Sequence, residues 1–263
     1  MLGFFTKSSD NSLNTSLENS IQQLQKLIDS SNNIVFFGGA GVSTESGIPD
    51  FRSQDGLYNQ EWDYPPETII SHSFFQTNPV EFYRFYRKKL LAPNVQPNAA
   101  HLKLAELEKA GKLKAVITQN IDGLHQKAGS KIVYELHGST LRNYCTRCGK
   151  FFDAEFIAKS ENAPDKLPHC PECNGLIKPD VVLYEEGLDQ TIIESSVNAI
   201  SNADMLIIGG TSLVVYPAAG LINYFNGRYL VLLNKTPTSS DANATLVIHD
   251  SIGKILSQIK VTL

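Results

Sequence analysis

Four cysteines fall in two tight pairs, Cys145-Thr146-Arg147-Cys148 and Cys170-Pro171-Glu172-Cys173, with 21 residues between the pairs. Two such knuckles are the ligand pattern of a tetrahedral zinc ion. Four thiolates fill its coordination sphere and leave no position for a reactive water, so the metal expected here is structural. A second group of residues points to a bound anion. Gly38-Gly39-Ala40-Gly41 follows directly on the apolar run Ile34-Val35-Phe36-Phe37, and a backbone stripped of Cβ atoms lets its N–H groups approach a diphosphate. Val42 to Ser46 reads as the first turn of a helix, whose N-terminus favours negative charge. Gly47-Ile48-Pro49 stops that helix and presents Asp50-Phe51-Arg52 just beyond it. His137 is set apart from the other histidines because it leaves an apolar run straight into Gly138. For His72, His101, His125 and His249 a hydrogen-bonded packing role is expected.

The glycine turn does not match a dehydrogenase. Against G-x-G-x-x-G, Thr44 replaces the last glycine. The acidic residues at the right distance, Glu61 and Asp63, lie in a stretch with Pro65 and Pro66 and no strand pattern.

These residues need elements to hold them at one edge. Buried parallel strands are read at Ile34–Phe37, Lys114–Thr118, Ile132–Leu136, Met205–Ile208, Leu230–Leu233 and Leu246–Ile248, and Lys178 to Tyr184 is read as returning to the same sheet. Several of these runs end in small or polar residues: Gln119-Asn120-Ile121-Asp122, His137-Gly138, Gly209-Gly210-Thr211-Ser212 and Asn234-Lys235. Open α/β sheets place ligands at that end. Amphipathic helices are expected at Ile21–Ser30, His101–Ala110 and Ile252–Ile259. Ser53 to Pro97, with its aromatic run Phe82-Tyr83-Arg84-Phe85-Tyr86, reads as an insertion over the nucleotide site. Arg142, Arg147 and Lys150 are close enough in sequence to offset the charge of a zinc–thiolate centre, and His169 adjoins Cys170 as a spare ligand.

The chain has 263 residues, 42% of them hydrophobic, a net charge of −4 and a pI near 5.9. That balance disfavours a zinc-ribbon nucleic-acid module and a sequence-specific nucleic-acid partner. No apolar run is long enough to span a membrane, and paired cysteines without a secretion signal suit a reducing cytoplasm.

Gly39-Ala40-Gly41-Val42-Ser43-Thr44-Glu45-Ser46-Gly47-Ile48-Pro49-Asp50-Phe51-Arg52 resembles the signature of the sirtuins, the NAD-dependent protein deacylases. The resemblance continues through Gln119-Asn120-Ile121-Asp122, His137-Gly138, the two cysteine pairs and Gly210-Thr211-Ser212-Leu213, over about residues 20–260. It implies an α/β fold, a Rossmann-like doubly wound parallel sheet with a smaller domain made of a helical insertion and a zinc-ribbon insertion. A mobile tail is expected at 1–16 and the catalytic domain at 17–263. Within it the core covers about 17–52, 98–138 and 178–263, the helical lid 53–97 and the zinc insertion 139–177.

The implied reaction consumes NAD as co-substrate and removes the acyl group from lysine, with one structural zinc. His137 would be the base that takes a proton from a ribose hydroxyl, and Asn120 its catalytic neighbour. NAD contacts are implied for Gly39, Ala40, Gly41, Ser43, Thr44, Ile48, Asp50, Phe51, Arg52, Gln119, Asn120, Ile121, Asp122, Gly210, Thr211, Ser212, Asn234 and Ile252. Val181, Leu183, Tyr184, Val214 and Tyr216 would grip an acyl-lysine peptide by strand addition. Two departures stand out. Glu185 occupies the glycine of the family's Phe-Gly-Glu, which either places charge at the peptide mouth or points to solvent. Arg87 sits one residue beyond the arginine with which family members that remove succinyl groups read the distal carboxylate, so acetyl is expected to be preferred. A mono-ADP-ribosyltransferase of the same family and a non-catalytic NAD sensor are the competing readings, and the sequence leaves the oligomeric state open.

Overall fold

The computed structural model describes residues 8–51, 56, 62–92 and 94–261, with side chains from residue 15 onward. In chain order its strands are β1 (Ile34–Gly38), β2 (Leu113–Thr118), β3 (Val133–Glu135), β4 (Gly138–Cys145), β5 (Phe151–Phe152), β6 (Ile177–Val181), β7 (Met205–Gly209), β8 (Tyr229–Leu233) and β9 (Leu246–Ile248). The α-helices are α1 (Ser8–Ser30), α2 (Pro66–Ile69), α3 (His72–Thr77), α4 (Pro79–Phe85), α5 (Ala99–Lys109), α6 (Leu124–Ala128), α7 (Ala154–Lys159), α8 (Gln190–Asn202) and α9 (Ile252–Leu256).

Six strands form a parallel sheet in the order β3-β2-β1-β7-β8-β9. The two central strands, β1 and β7, are buried at every position, as a sheet covered on both faces requires. Alternate residues of β1 serve the two faces. Ile34 and Phe36 pack with Leu24, Ile28, Leu104 and Ile255 from α1, α5 and α9. Val35 and Phe37 pack with Ile200 of α8 and with Ala218 and Leu221. The strand order reverses direction at the β1–β7 pair, and this switch point is where such sheets open a crevice.

A smaller antiparallel sheet has the order β5-β4-β6. The segment expected to rejoin the main sheet, Lys178 to Tyr184, forms β6 here instead, with Tyr144 opposite Lys178 and Cys145 opposite Ile177. Its burial alternates along the strand, the pattern of a sheet with one covered face rather than two. Pro179 is tolerated because β6 is an edge strand. The helical insertion and the zinc-bearing segment share one core: Phe75, Phe82, Tyr83 and Tyr86 pack with Phe152, Ile157, Ile177 and Leu183. The aromatic rings meet edge-on, Phe75–Phe82 at 5.1 Å and Phe82–Tyr83 at 5.2 Å between centroids, the arrangement ring quadrupoles favour.

Two local readings are revised. α1 starts at Ser8, well before Ile21 and within the stretch expected to be a tail. The helical turn expected after Gly41 is two successive 3-10 turns, Ala40–Val42 and Thr44–Ser46. Thr44, the residue in place of the third glycine, turns its hydroxyl back onto the Gly41 carbonyl at 3.0 Å. Among the described residues no helix is long and apolar enough to cross a membrane.

The turns after β1 and β7 lie backbone against backbone. Gly39 N–H donates to Gly209 O at 3.2 Å and Gly41 N–H to Gly210 O at 2.8 Å. A Cβ on Gly41 would stand 2.8 Å from Gly210 Cα, and one on Gly210, at φ +60°, 2.4 Å from Val42 N. Gly210→Ala therefore combines a left-handed backbone with a clash against main chain. It is expected to lower unfolding stability by about 2–4 kcal/mol, measured as a lower urea midpoint with an unchanged slope.

Candidate active site

Polar residues from four parallel strands meet at the carboxyl edge. Gln119 follows β2; its N–H donates to Gly38 O at 3.0 Å and its Nε2 to Thr211 Oγ1 at 3.1 Å. The Thr211 hydroxyl also accepts from Leu213 N. Asn234, after β8, is half-buried and its Nδ2 donates to Thr236 O. Ser212 is exposed, and Ala40, Ile48, Asp50 and Phe51 are partly so. Arg52 lies outside the described residues. The glycine N–H groups are committed to the neighbouring turn rather than left open for a ligand. Ala40 N–H, between them, has no acceptor among the described residues. Ile252 is buried beneath Gly209, facing the core.

Ser43 is the hub of the site. It is buried, donates to Asp122 Oδ2 at 2.6 Å and accepts from Asn120 Nδ2 at 3.0 Å. Asp122 also takes Leu124 N–H on Oδ1 at 2.9 Å. His101 Nε2 lies 3.5 Å from the Ser43 hydroxyl. Its Nδ1 accepts from Asn98 N–H in the capping box that starts α5, which leaves the proton on Nε2. Asn98 Nδ2 in turn holds Val42 O at 2.8 Å. Sequence reasoning set His101 aside as packing. The Asn-x-x-His spacing at a helix start was the available signal. His125 is expected to be hydrogen-bonded, yet both its ring nitrogens lack a partner among the described residues. It is buried with its ring 4.7 Å from that of His101. Burial pushes His101 down to about 4, partly opposed by Asp122. Burial, and then His101 itself, pushes His125 to about 3.

His137 stands where the main sheet passes into the small one, between β3 and β4. Its Nδ1 lies 3.0 Å from Gln119 O. A carbonyl only accepts, so Nδ1 carries the proton and Nε2 keeps a lone pair. Burial lowers its pKa, partly offset by the Gln119 carbonyl. The imidazole is therefore neutral at pH 7, the form a general base requires.

The two segments expected to grip a peptide differ. Val181 and Leu183 are buried in the small-domain core, whereas Tyr184, Val214 and Tyr216 are exposed. Tyr184 is already bridged to the helical module: its N–H donates to Ile70 O and its carbonyl accepts from His72 N. The main-chain groups of Glu185 and Val214 have no partner among the described residues. Glu185 adopts φ +77°, where glycine is at ease. Glu185 is exposed, and its carboxylate is turned onto the start of α3. It accepts from Ser73 N–H and Ser73 Oγ, both at 2.9 Å, at the start of α3. Glu186 pairs with His72 Nδ1 at 2.7 Å and Lys178 Nζ at 3.0 Å.

The four cysteine sulfurs lie within 4.8 Å of one another, with Cys145–Cys173 at 3.4 Å and Cys148–Cys170 at 3.7 Å. Tetrahedral Zn–S bonds of about 2.3 Å need sulfurs about 3.8 Å apart, so the donor set fits zinc. His169 turns to Asp165 at 2.8 Å and is not a ligand. Arg147 donates to Cys173 O and Lys150 pairs with Glu172. Arg142 does not serve the metal at all, but bridges Glu135 and Asp180.

A match to the Sir2 family covers residues 39–217. The chain is 60% identical over 246 residues to an NAD-dependent protein deacetylase of Clostridium perfringens, spanning 92% of this chain and 99% of that one. It is 45% identical over 245 residues to one of Staphylococcus aureus, spanning 92% and 99%. A solved complex of Sir2 with p53 peptide and NAD+ superimposes with TM-score 0.80 at 41% identity, covering 90% of this chain and 95% of that one. Sir2 bound to acetylated peptide gives TM-score 0.79 at 39% identity, with coverage of 90% and 95%.

The buried histidine pair makes a pH prediction. The folded-state values lie below the unfolded value of about 6.5, so the unfolded chain binds protons first. Stability is complete above about pH 6.5 and falls as pH drops toward about 4 for His101 and about 3 for His125. His125→Leu is expected to lose less stability than the wild type between pH 7 and pH 5 in urea titrations, and equal losses would remove His125 from the account.

Proposed function

Since the chain belongs to the Sir2 family, we infer that it is an NAD-dependent protein-lysine deacetylase, which transfers the acetyl group from lysine to ADP-ribose and releases nicotinamide. The observation that carries the catalytic reading is His137, held in one tautomer at the ligand edge with Nε2 unprotonated. In this reading His137 takes the proton of a ribose hydroxyl as that oxygen attacks the acyl carbon. Asn120 and Asp122, cross-linked through Ser43, shape the pocket that receives nicotinamide. Their fixed dipoles and charge suit a transition state that gains positive character on the ribose. The Ala40 N–H supports a diphosphate contact at the turn, which Arg52 would share, with Thr211, Ser212 and Asn234 on the adenosine side and Phe51 over the ribose face. NAD is a co-substrate, and zinc supplies structure to the small sheet rather than chemistry.

An extended acyl-lysine peptide would pair with Glu185 and Val214, whose main-chain groups have no partner among the described residues. Four cysteines placed as a zinc donor set support a reducing cytoplasm as the compartment. The helical insertion, read at 53–97, and the zinc-bearing segment, read at 139–177 but carried on through β6 to Leu183, enter the same proposal as one composite lid, since both feed a single core.

Arg87 bears on acyl choice. Its Nη1 donates to Ser160 Oγ at 3.0 Å and its Nη2 to Lys166 O at 3.1 Å, both in the zinc-bearing segment. Tyr83 gives its hydroxyl to Ile177 O. These bonds draw both side chains into the small domain and favour acetyl, although Arg87 Nε has no partner among the described residues.

Three measurements test this reading. Incubation with NAD and an acetyl-lysine peptide, followed by peptide mass, separates acyl loss from ADP-ribose gain and from no change. His137→Ala is expected to lose at least about a hundredfold in deacetylation while NAD binding stays within a few-fold. Acetyl is expected to exceed succinyl by about tenfold in kcat/KM, about 1.4 kcal/mol, on one peptide carrying each group in turn, and faster desuccinylation would reject the assignment of Arg87 to structure.

A further inference from the structure

His137 is anchored from two sides. Its ring is tied to the main sheet through Gln119 O, but its main-chain carbonyl accepts Val182 N–H at 3.0 Å from just beyond β6. The next residue, Gly138, is seated against β6 so closely that a Cβ there would stand 1.9 Å from Asp180 O. The aim of the imidazole therefore depends on how the two sheets sit relative to each other. Arg142 reaches a carboxylate on each of them at this junction. Arg142, on β4, donates Nη1 to Glu135 Oε2 and Nε to Asp180 Oδ2, both at 2.7 Å. Glu135 ends β3 in the main sheet and precedes His137 by two residues; Asp180 lies on β6 in the small sheet. The remaining bonds across this junction on β4 are those of Thr140 to Ile121 O.

We propose that Arg142 is a positioning residue for His137, fixing the two sheets so that the imidazole faces the ligand edge. The proposal rests on His137 as the base. The Glu135 side chain is only 8% exposed, and a carboxylate that buried needs a partner. Without Arg142 it must swing toward water or take a proton, and either change displaces the end of β3 two residues before His137. Arginine is required by shape. A planar guanidinium reaches two carboxylates at once, whereas one ammonium holds a single geometry less firmly.

The test separates the two halves of the reaction in the full-length protein. Nicotinamide exchange into NAD, in the presence of acetyl-lysine peptide, reports the step before the base acts. Peptide deacetylation reports both. Arg142→Gln is expected to lose at least about tenfold in deacetylation kcat while exchange stays within about threefold. Glu135→Gln should show the same split, the double variant should be no worse than either single one, and Arg142→Lys should recover part of the loss. Parallel loss of exchange and deacetylation in Arg142→Lys and Arg142→Gln, or deacetylation within twofold of wild type, would overturn the proposal. His137→Ala in the same assays keeps the premises apart: unimpaired deacetylation there removes the base itself, whereas its loss beside a fully active Arg142→Gln removes only the role of Arg142.

Discussion

The contact between two glycine turns is what the rest of the molecule is built to permit. At the switch point of the sheet, Gly39 and Gly41 hydrogen-bond to the carbonyls of Gly209 and Gly210, and any Cβ at Gly41 or Gly210 would enter the opposite main chain. Parallel pairing of β1 with β7 along their full length brings the turns into this register. Ser43 then lands where Asn120 and Asp122 can reach it, and Gln119 lands against Thr211. A wider gap between the turns would separate the β1 and β2 residues from those of β7. The glycines are thus less a cradle for a ligand than the reason the surrounding side chains converge.

Two sheets of different character are joined at one residue. The main sheet is buried on both faces and holds its strands by continuous apolar runs; the small one hides a single face over a core shared with the helical module. Hydrophobic burial is indifferent to small rotations between such layers, because it has no direction. Orientation has to come from directional bonds. At the junction these are the Arg142 fork, the Thr140 bonds and the main-chain bond from Val182 to His137.

Much of this was legible in the chain. Strands covered on both faces need unbroken apolar runs, which is why Ile34–Phe37 and Met205–Ile208 could be read directly. The zinc set was legible because thiolate geometry imposes its spacing. What escaped depended on partners distant in sequence. Lys178 to Tyr184 was placed in the wrong sheet because apolar content alone does not say which edge a strand will meet. Arg142 was assigned to the metal by sequence proximity, although the crossing of β4 between β3 and β6 gives it two carboxylates. His125 carries no pattern that distinguishes an unpartnered buried ring from a bonded one. Glu185 looked out of place at a glycine position. Its compensation, two hydrogen bonds from Ser73, lies on another element.

The pairing of β1 with β7 also orders events in time. A chain made from its N-terminus can assemble β1, β2 and β3 into half a sheet, but one edge of β1 then remains unpaired. The small domain needs nothing past Leu183 for its core and can close around its metal earlier. The glycine turn waits for Gly210, and Asn234 follows later still. Contacts between such distant segments are slow to form, and the exposed edge of β1 is sticky meanwhile. The ligand edge is therefore completed only when segments made late join it, although its first residues are made well before them.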